Sequence, residues 1–148
     1  MREVHTEIEI NGTPEQVWEH LAAFQAYPAW NPFIRSVEGA AEPGRRLKVR
    51  LQPPGGRGFT FRPTVTKVEK GREVRWLGHL LVSGIFDGEH IFEIHQDKPG
   101  VVRFVQREEF RCLLSPVMLR MVGPSTRRGF EAMNRALKVR VEAPKNAA

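Results

Sequence analysis

Three polar residues, His90, Gln106 and Glu108, occur in strand-like segments whose other alternate positions hold mainly phenylalanines. Since alternate residues of a strand share a face, all three side chains are predicted to point into the apolar interior. A histidine and a carboxylate can orient a carbonyl or hydroxyl of a bound molecule, and they can move a proton between its atoms as acid and base. Buried polar groups also bond one another or a trapped water. Ligand contact, catalysis by His90 with Glu108, and a purely structural role therefore stay open.

Large apolar side chains supply the rest of the candidate binding site. Aromatic rings line ligand pockets as well as ordinary cores, and methionine thioethers adapt to ligands of varied shape. The aromatic candidates are Trp30, Phe33, Phe61, Trp76, Phe86, Phe92, Phe104, Phe110 and Phe130, and the methionine candidates are Met118, Met121 and Met133. Asn134 lies at the margin of the apolar stripe of the last predicted helix, where its amide contacts either a ligand or solvent.

Residue types argue against several other chemistries. His90 and His95 are five positions apart on a predicted strand and so face opposite sides, which excludes them as a joint metal pair. None of the serines has a nucleophile-elbow context, and Cys112 has no recognisable base beside it. The sequence predicts no metal site, no cofactor and no covalent catalysis.

Two segments near the N-terminus have clear local patterns. Residues 4–10 alternate apolar and polar side chains, which predicts a half-buried strand. Thr13, Pro14 and Gln16 then supply a hydroxyl N-cap, a proline in the first turn and the glutamine of a capping box, which together predict a helix. In Asn31-Pro32 the asparagine is expected to bond the local backbone.

Residues 33–112 form a series of strand-like runs separated by turn residues, which predicts an antiparallel meander. A five-residue loop at 96–100 places His90 opposite Gln106, with Glu108 as a diagonal neighbour. Asp87-Gly88 is interpreted as a bulge within a strand. The glycine-rich loop at 53–58 is either a lid over a cavity mouth or an ordinary hairpin connection.

A long amphipathic helix is predicted after Pro116, because apolar residues recur at helical spacing. Gly123-Pro124 is expected to kink or break this helix, since proline lacks an amide donor. The order strand, helix, meander, long helix indicates an α+β domain with a sheet packed on a helix. Such a fold can enclose a concave, mostly apolar space for a small ligand.

The length of 148 residues suits one domain, which we place at 1–143, with a disordered tail at 144–148. The polar N-terminus and the single cysteine favour the cytoplasm, and no apolar run is long enough for a transmembrane helix. A net charge of +6 raises an anionic membrane surface or nucleic acid as a partner, but no nucleic-acid-binding motif is present. The protein is expected to be a monomer or a homodimer.

Five stretches of the chain resemble the START/polyketide cyclase-like (SRPBCC) superfamily, in particular its small bacterial single-domain members. They are TPEQVW at 13–18, YPAWNP at 27–32, GEHIF at 88–92, QREEF at 106–110 and FEAMNRALK at 130–138. The resemblance implies a helix-grip fold with a hydrophobic cavity between the sheet and the long helix. Different members of the superfamily use this cavity for lipids, polyketides, quinones or hormones.

Three functional hypotheses follow. The first is a protein that binds a small hydrophobic or amphipathic ligand, such as a lipid, a quinone or a polyketide-like molecule, as carrier, sensor or sequestering protein. The second is a cyclase or dehydratase-like enzyme with His90 and Glu108 as acid and base. The third is a module whose basic surface binds nucleic acid or an anionic membrane.

Overall fold

The computed structural model describes residues 2–79, 86–112 and 116–144, and it describes only the backbone of residues 2, 86, 112 and 116–122. The described residues form eight strands and three α-helices, with a 3-10 turn at Phe24–Ala26. In chain order the elements are β1 (Arg2–Asn11), α1 (Pro14–Ala22), α2 (Tyr27–Trp30), β2 (Ile34–Glu38), β3 (Lys48–Leu51), β4 (Phe59–Phe61), β5 (Thr64–Glu69), β6 (Glu73–His79), β7 (Phe86–Lys98), β8 (Val101–Cys112) and α3 (Pro116–Glu142).

The strands are arranged in two antiparallel sheets. The larger has the order β1-β8-β7-β6-β5, and the smaller has the order β2-β3-β4. The long helix α3 packs against β1 and β8 and also contacts α1. The chain therefore has the predicted α+β, helix-grip fold, in which an antiparallel sheet packs on a long C-terminal helix.

Local side-chain hydrogen bonds set the connections around the first helix. The Thr13 hydroxyl accepts a hydrogen bond from the Gln16 amide at 3.2 Å, and the Gln16 side chain accepts one from the Thr13 amide at 2.9 Å. This confirms the predicted capping box. The Asn31 side-chain oxygen accepts hydrogen bonds from the amides of Phe33 and Ile34, which confirms its predicted bond to the local backbone and holds Phe33 at the start of β2.

The predicted pairing of β7 with β8 is wrong by two residues. β7 continues to Lys98, and the turn is the two-residue Pro99-Gly100, with Gly100 at φ +78°. An irregularity between His95 and Lys98 accommodates the extra length. His90 therefore lies opposite Glu108 instead of Gln106. A shift of two residues keeps every side chain on its predicted face, because the side-chain period of a strand is two.

The bulge predicted at Asp87-Gly88 is also wrong. Asp87 pairs with His79 and Arg111, and Gly88 pairs with Gly78 and Phe110, in regular succession on both sides of β7. An irregular backbone therefore does not explain the glycine at position 88.

The helix α3 runs without a break through Pro124, so of the predicted kink or break at Gly123-Pro124 the break does not occur. A proline inside a helix costs a backbone hydrogen bond, but packing of the apolar stripe offsets this loss. Phe130, Met133 and Leu137 are fully buried, which confirms the predicted buried face. None of the helices in the described ranges is long and apolar enough to cross a membrane.

Candidate ligand-binding site

A cavity of about 410 Å³ lies between the two sheets and the helix α3. Its wall is mostly apolar, and six of the predicted site residues contribute to it. These six are Phe33, Phe61, His90, Glu108, Phe110 and Phe130. The remaining lining residues are Leu51, Pro53, Phe59, Gly78, His79, Gly88, Ser125 and Thr126. No lysine or arginine is among the described residues of the cavity wall.

Other predicted site residues lie elsewhere. Five are buried in the core around the cavity without lining it: Trp76, Phe92, Phe104, Gln106 and Met133. Trp30 lines a separate surface groove beside α1 and the end of α3. The side chains of Phe86, Met118 and Met121 fall outside the part of the chain that is described.

Two glycines that were not among the predicted site residues make room at the cavity wall. Gly78 and Gly88 pair with each other across β6 and β7. A Cβ atom on Gly78 would lie 3.2 Å from the ring of Phe61, and one on Gly88 would lie 2.5 Å from a carboxyl oxygen of Glu108. Glycine inside a strand often marks such a close approach, so these residues were detectable from the sequence.

The loop at 53–58 joins β3 to β4, which pair as a hairpin. Pro53 is the first residue of the loop and Phe59 follows it; both residues line the cavity, and Phe59 is 39% exposed. The two ends of the loop therefore lie at the edge of the cavity.

The carboxyl group of Glu108 lies inside the protein next to His90, its partner across the strand pair. It has no hydrogen bond or ion pair within the described part of the chain, and it is half-buried because it faces the cavity. Burial raises the pKa of Glu108 to about 7, since ionisation in an apolar environment is unfavourable. At neutral pH the carboxyl is therefore protonated in roughly half of the molecules.

His90 begins a chain of buried hydrogen bonds that leads away from the cavity. Its Nε2 atom lies 2.9 Å from Oε1 of Gln106, and Nε2 of Gln106 donates to Oδ1 of Asn134 at 2.8 Å. Nδ2 of Asn134 donates to the Thr6 hydroxyl at 2.9 Å, and this hydroxyl donates to the backbone carbonyl of Gln106 at 2.8 Å. We call these four side chains the relay.

The backbone carbonyl at the end of the relay sets the direction of every hydrogen bond in it. A carbonyl only accepts, so the Thr6 hydroxyl must donate to it and must accept from the amide nitrogen of Asn134. The Asn134 oxygen then accepts from Gln106, whose own oxygen accepts from His90. Nε2 of His90 therefore carries a hydrogen atom. Asn134 is thus buried rather than in contact with solvent, and it does not line the cavity.

The imidazole of His90 is neutral and tightly held. Burial lowers the pKa of His90 to about 4, although the hydrogen bond to Gln106 opposes this shift. The ring stacks on Phe92 with centroids 4.4 Å apart and contacts Phe130 and Trp76 at 4.8 and 5.2 Å. With Nε2 protonated, a neutral ring has its lone pair on Nδ1.

Comparison with known proteins identifies the family. The family model described as "Polyketide cyclase / dehydrase and lipid transport" matches residues 1–142. The chain belongs to this family. A search of curated proteins finds no match.

Solved structures show that other proteins share the fold of this polyketide cyclase/dehydrase and lipid transport family member. The Zhui aromatase/cyclase from Streptomyces sp. R1128 has a TM-score of 0.76 at 16% identity, covering 95% of this chain and 93% of that one. A START superfamily protein from Mycobacterium smegmatis has a TM-score of 0.71 at 20% identity, covering 95% and 97%. A norcoclaurine synthase point mutant from Thalictrum has a TM-score of 0.70 at 15% identity, covering 95% and 93%.

Among the described residues, no group of three or more histidine, cysteine or acidic side chains is placed to hold a metal ion. His95 lies on the opposite face of β7 from His90, with a partly exposed side chain that bonds Glu93 at 3.2 Å.

Replacing Asn134 by leucine is expected to lower the free energy of unfolding by about 1–3 kcal/mol. The substitution keeps the number and branching of the side-chain heavy atoms but removes the acceptor for Gln106 and the donor for Thr6. Urea denaturation measures the effect. The matched control is Asn11→Leu, at an exposed position whose change should stay within about 0.5 kcal/mol. Equal effects at the two positions would contradict a stabilising role for the relay.

Proposed function

We propose that this protein binds one small, largely apolar ligand in the cavity and serves as a carrier, sensor or sequestering protein. The observation that carries the proposal is a space of about 410 Å³ with an aromatic wall, within the range of small-molecule pockets. Its polar groups are few, and two of them, His90 and Glu108, lie side by side on adjacent strands. An apolar wall with a small number of oriented polar groups is typical of ligand sites.

A second candidate function is acid–base catalysis of a cyclase or dehydratase type. The specific observation in its favour is the raised pKa of Glu108, about 7, beside the neutral base His90. A protonated Glu108 can donate its proton to a developing oxyanion of a carbonyl, while Nδ1 of His90 accepts a proton from the adjacent carbon. Perturbed carboxyl groups in clefts are common at catalytic sites.

Binding is tested first by native mass spectrometry of the protein purified from its own host, with release and identification of any bound molecule. The same protein is then heated with a panel containing a long-chain alcohol, a quinone and a polycyclic phenol. A ligand at one hundred times its Kd stabilises the folded state by about 2.7 kcal/mol. We expect an apolar companion of one-to-one stoichiometry, or stabilisation by at least one panel member.

A matched pair of variants locates the binding. Leu51→Trp fills the cavity that Leu51 lines, whereas Leu77→Trp introduces the same change on β6 outside the cavity wall. Stabilisation by the ligand should be lost in the first variant and kept in the second. A bare protein mass, with no stabilisation by any panel member, would overturn the carrier proposal.

Turnover separates the two candidate functions. If the protein is a carrier, His90→Ala should keep the affinity for an apolar ligand without a hydroxyl group within a few fold, a change of at most about 1 kcal/mol. If it is an enzyme, both His90→Ala and Glu108→Gln should abolish conversion of the bound molecule while leaving it bound. Product formation that survives both substitutions would exclude these two residues as acid and base.

A further inference from the structure

We infer that the cavity selects an uncharged ligand with a hydroxyl group, which donates a hydrogen bond to Nδ1 of His90, and that it rejects ligands with a carboxylate or phosphate head group. This inference rests on the proposed binding function and names the chemical class of the ligand. Three observations carry it: the direction of the relay, the position of Nδ1, and the charge of the cavity wall.

The relay determines which nitrogen of His90 is available. Because the backbone carbonyl of Gln106 can only accept, each donor and acceptor between it and His90 has one possible assignment. The imidazole donates through Nε2 into the protein, and its other nitrogen can only accept while the ring is neutral. A ligand group that bonds this nitrogen must therefore be a donor.

Nδ1 of His90 is open to the cavity. Three side-chain nitrogens in the described part of the chain are buried without a hydrogen-bond partner: Trp30 Nε1, Asn31 Nδ2 and Trp76 Nε1. Nδ1 of His90 is not one of them, although it has no hydrogen bond to any described residue. Since His90 lines the cavity, the cavity is the space that this lone pair faces.

The charge of the cavity wall disfavours an anionic ligand. Its described titratable residues are His79, His90 and Glu108, and none of its described residues is a lysine or an arginine. His79 already bonds Asp87 at 2.6 Å. A carboxylate or phosphate in this space would lie beside a second carboxyl group, with no lysine or arginine among the described wall residues as counter-ion, which costs several kcal/mol. Glu108 in its protonated form instead offers a donor to a neutral oxygen, so a hydroxyl next to a carbonyl suits both side chains.

The inference is tested with three molecules that share one skeleton: 2-naphthol, 2-methoxynaphthalene and 2-naphthoate. Their affinities are measured by calorimetry near neutral pH, where His90 is neutral. Losing the donor should weaken binding of the ether by about tenfold relative to the naphthol, because the acceptor on His90 is then left without a partner. The naphthoate should bind at least about a hundredfold more weakly than the naphthol.

The variant His90→Phe removes the acceptor and keeps an aromatic ring of similar shape. In it, the preference for the naphthol over the ether should disappear, and Leu77→Trp should leave the preference unchanged. A second measurement does not depend on the variant folding: ¹⁵N NMR of histidine-labelled protein, with and without naphthol, should show His90 protonated at Nε2 only. Protonation at Nδ1 would overturn the inference.

Failure of the inference and failure of the proposed function give different results. If the naphthol and the ether bind equally, and Leu51→Trp abolishes both, the cavity binds ligands but the donor requirement is wrong. If the naphthoate, or a cationic amine on the same skeleton, binds more tightly than the naphthol, the requirement for an uncharged ligand is wrong. If none of these molecules binds and no companion is found in the protein from its host, the proposed function itself is overturned.

Discussion

Replacing Phe130 by alanine is expected to lower the free energy of unfolding by about 3–5 kcal/mol. Phe130 is fully buried on the inner face of α3, and its ring contacts Phe33 and His90 at centroid distances of 5.8 and 4.8 Å. Truncation removes both ring contacts and leaves a void that the surrounding aromatic side chains cannot fill without leaving their rotamers. The free energy of unfolding of a single domain is typically about 5–15 kcal/mol, so this one substitution removes a large part of the protein's stability.

The matched control is Phe59→Ala, which makes the same change at another residue of the cavity wall. Phe59 is 39% exposed at the edge of the cavity, so its truncation should cost about 1 kcal/mol or less. Urea denaturation of both variants at one pH measures the difference. Similar losses at the two positions would contradict the placement of Phe130 in the core that joins α3 to the sheet.

The face of each strand could be predicted from the sequence, whereas the pairing of the strands could not. Alternation of apolar and polar residues assigns His90, Gln106 and Glu108 to the inner face whatever the length of the turn. The pairing depends on whether β7 ends before or after the polar residues 96–98. These residues suit a loop and an irregular strand end equally well. His90 and Glu108 were therefore correctly placed on the inner face, but their direct pairing across the strands was missed.

The relay was beyond sequence reasoning because its members are distant along the chain. Thr6 and Asn134 are 128 residues apart, and they meet only because β1 lies beside β8 while α3 packs across both. The alternation over residues 4–10 places Thr6 on the same face as Val4 and Ile8, yet nothing in its sequence neighbours indicates a partner. The direction of the hydrogen bonds also depends on a backbone carbonyl group, and the pattern of side chains in the sequence contains no information about it.

The existence of open space in the interior likewise depends on details of packing. Phenylalanines at positions 33, 92, 104, 110 and 130 share one apolar pattern in the sequence, but 92 and 104 are packed in the core while the others face the cavity. Two glycines that meet across β6 and β7 help to create the difference, since any side chain at Gly88 would displace the carboxyl of Glu108. Omission of a side chain can thus shape a cavity as much as the presence of one.

Substitutions of Glu108 and His90 are expected to reveal two opposite pH dependences of the free energy of unfolding, which cancel in the unaltered protein. Burial raises the pKa of Glu108 from 4.5 to about 7, so the native state binds more protons than the unfolded state between these values, and stability falls as the pH rises. Burial lowers the pKa of His90 from 6.5 to about 4, so the unfolded state binds more protons there, and stability falls as the pH drops. Each effect amounts to about 3 kcal/mol over its full range.

Between about pH 4.5 and about pH 6.5 the two slopes oppose each other, so these two groups together should contribute almost no pH dependence. Glu108→Gln removes the first slope. From acidic conditions to about pH 8, the free energy of unfolding of this variant should therefore rise by about 3 kcal/mol relative to that of the unaltered protein. His90→Gln removes the second slope. On acidification from about pH 7 to about pH 4, the free energy of unfolding of this variant should rise by a similar amount relative to that of the unaltered protein.

Urea denaturation of both single variants and the double variant, across this pH range, measures these differences. The control for exchanging a carboxyl for an amide is Glu19→Gln, at an exposed position on α1. The double variant should lack both slopes, and its profile should therefore run parallel to that of the unaltered protein in the range where they cancel. Two single variants with profiles parallel to that of the unaltered protein would show that neither side chain is buried as the structure places it. Slopes of the predicted signs would establish that, between about pH 4.5 and about pH 6.5, the cavity holds a neutral acid beside a neutral base, as the catalytic proposal requires.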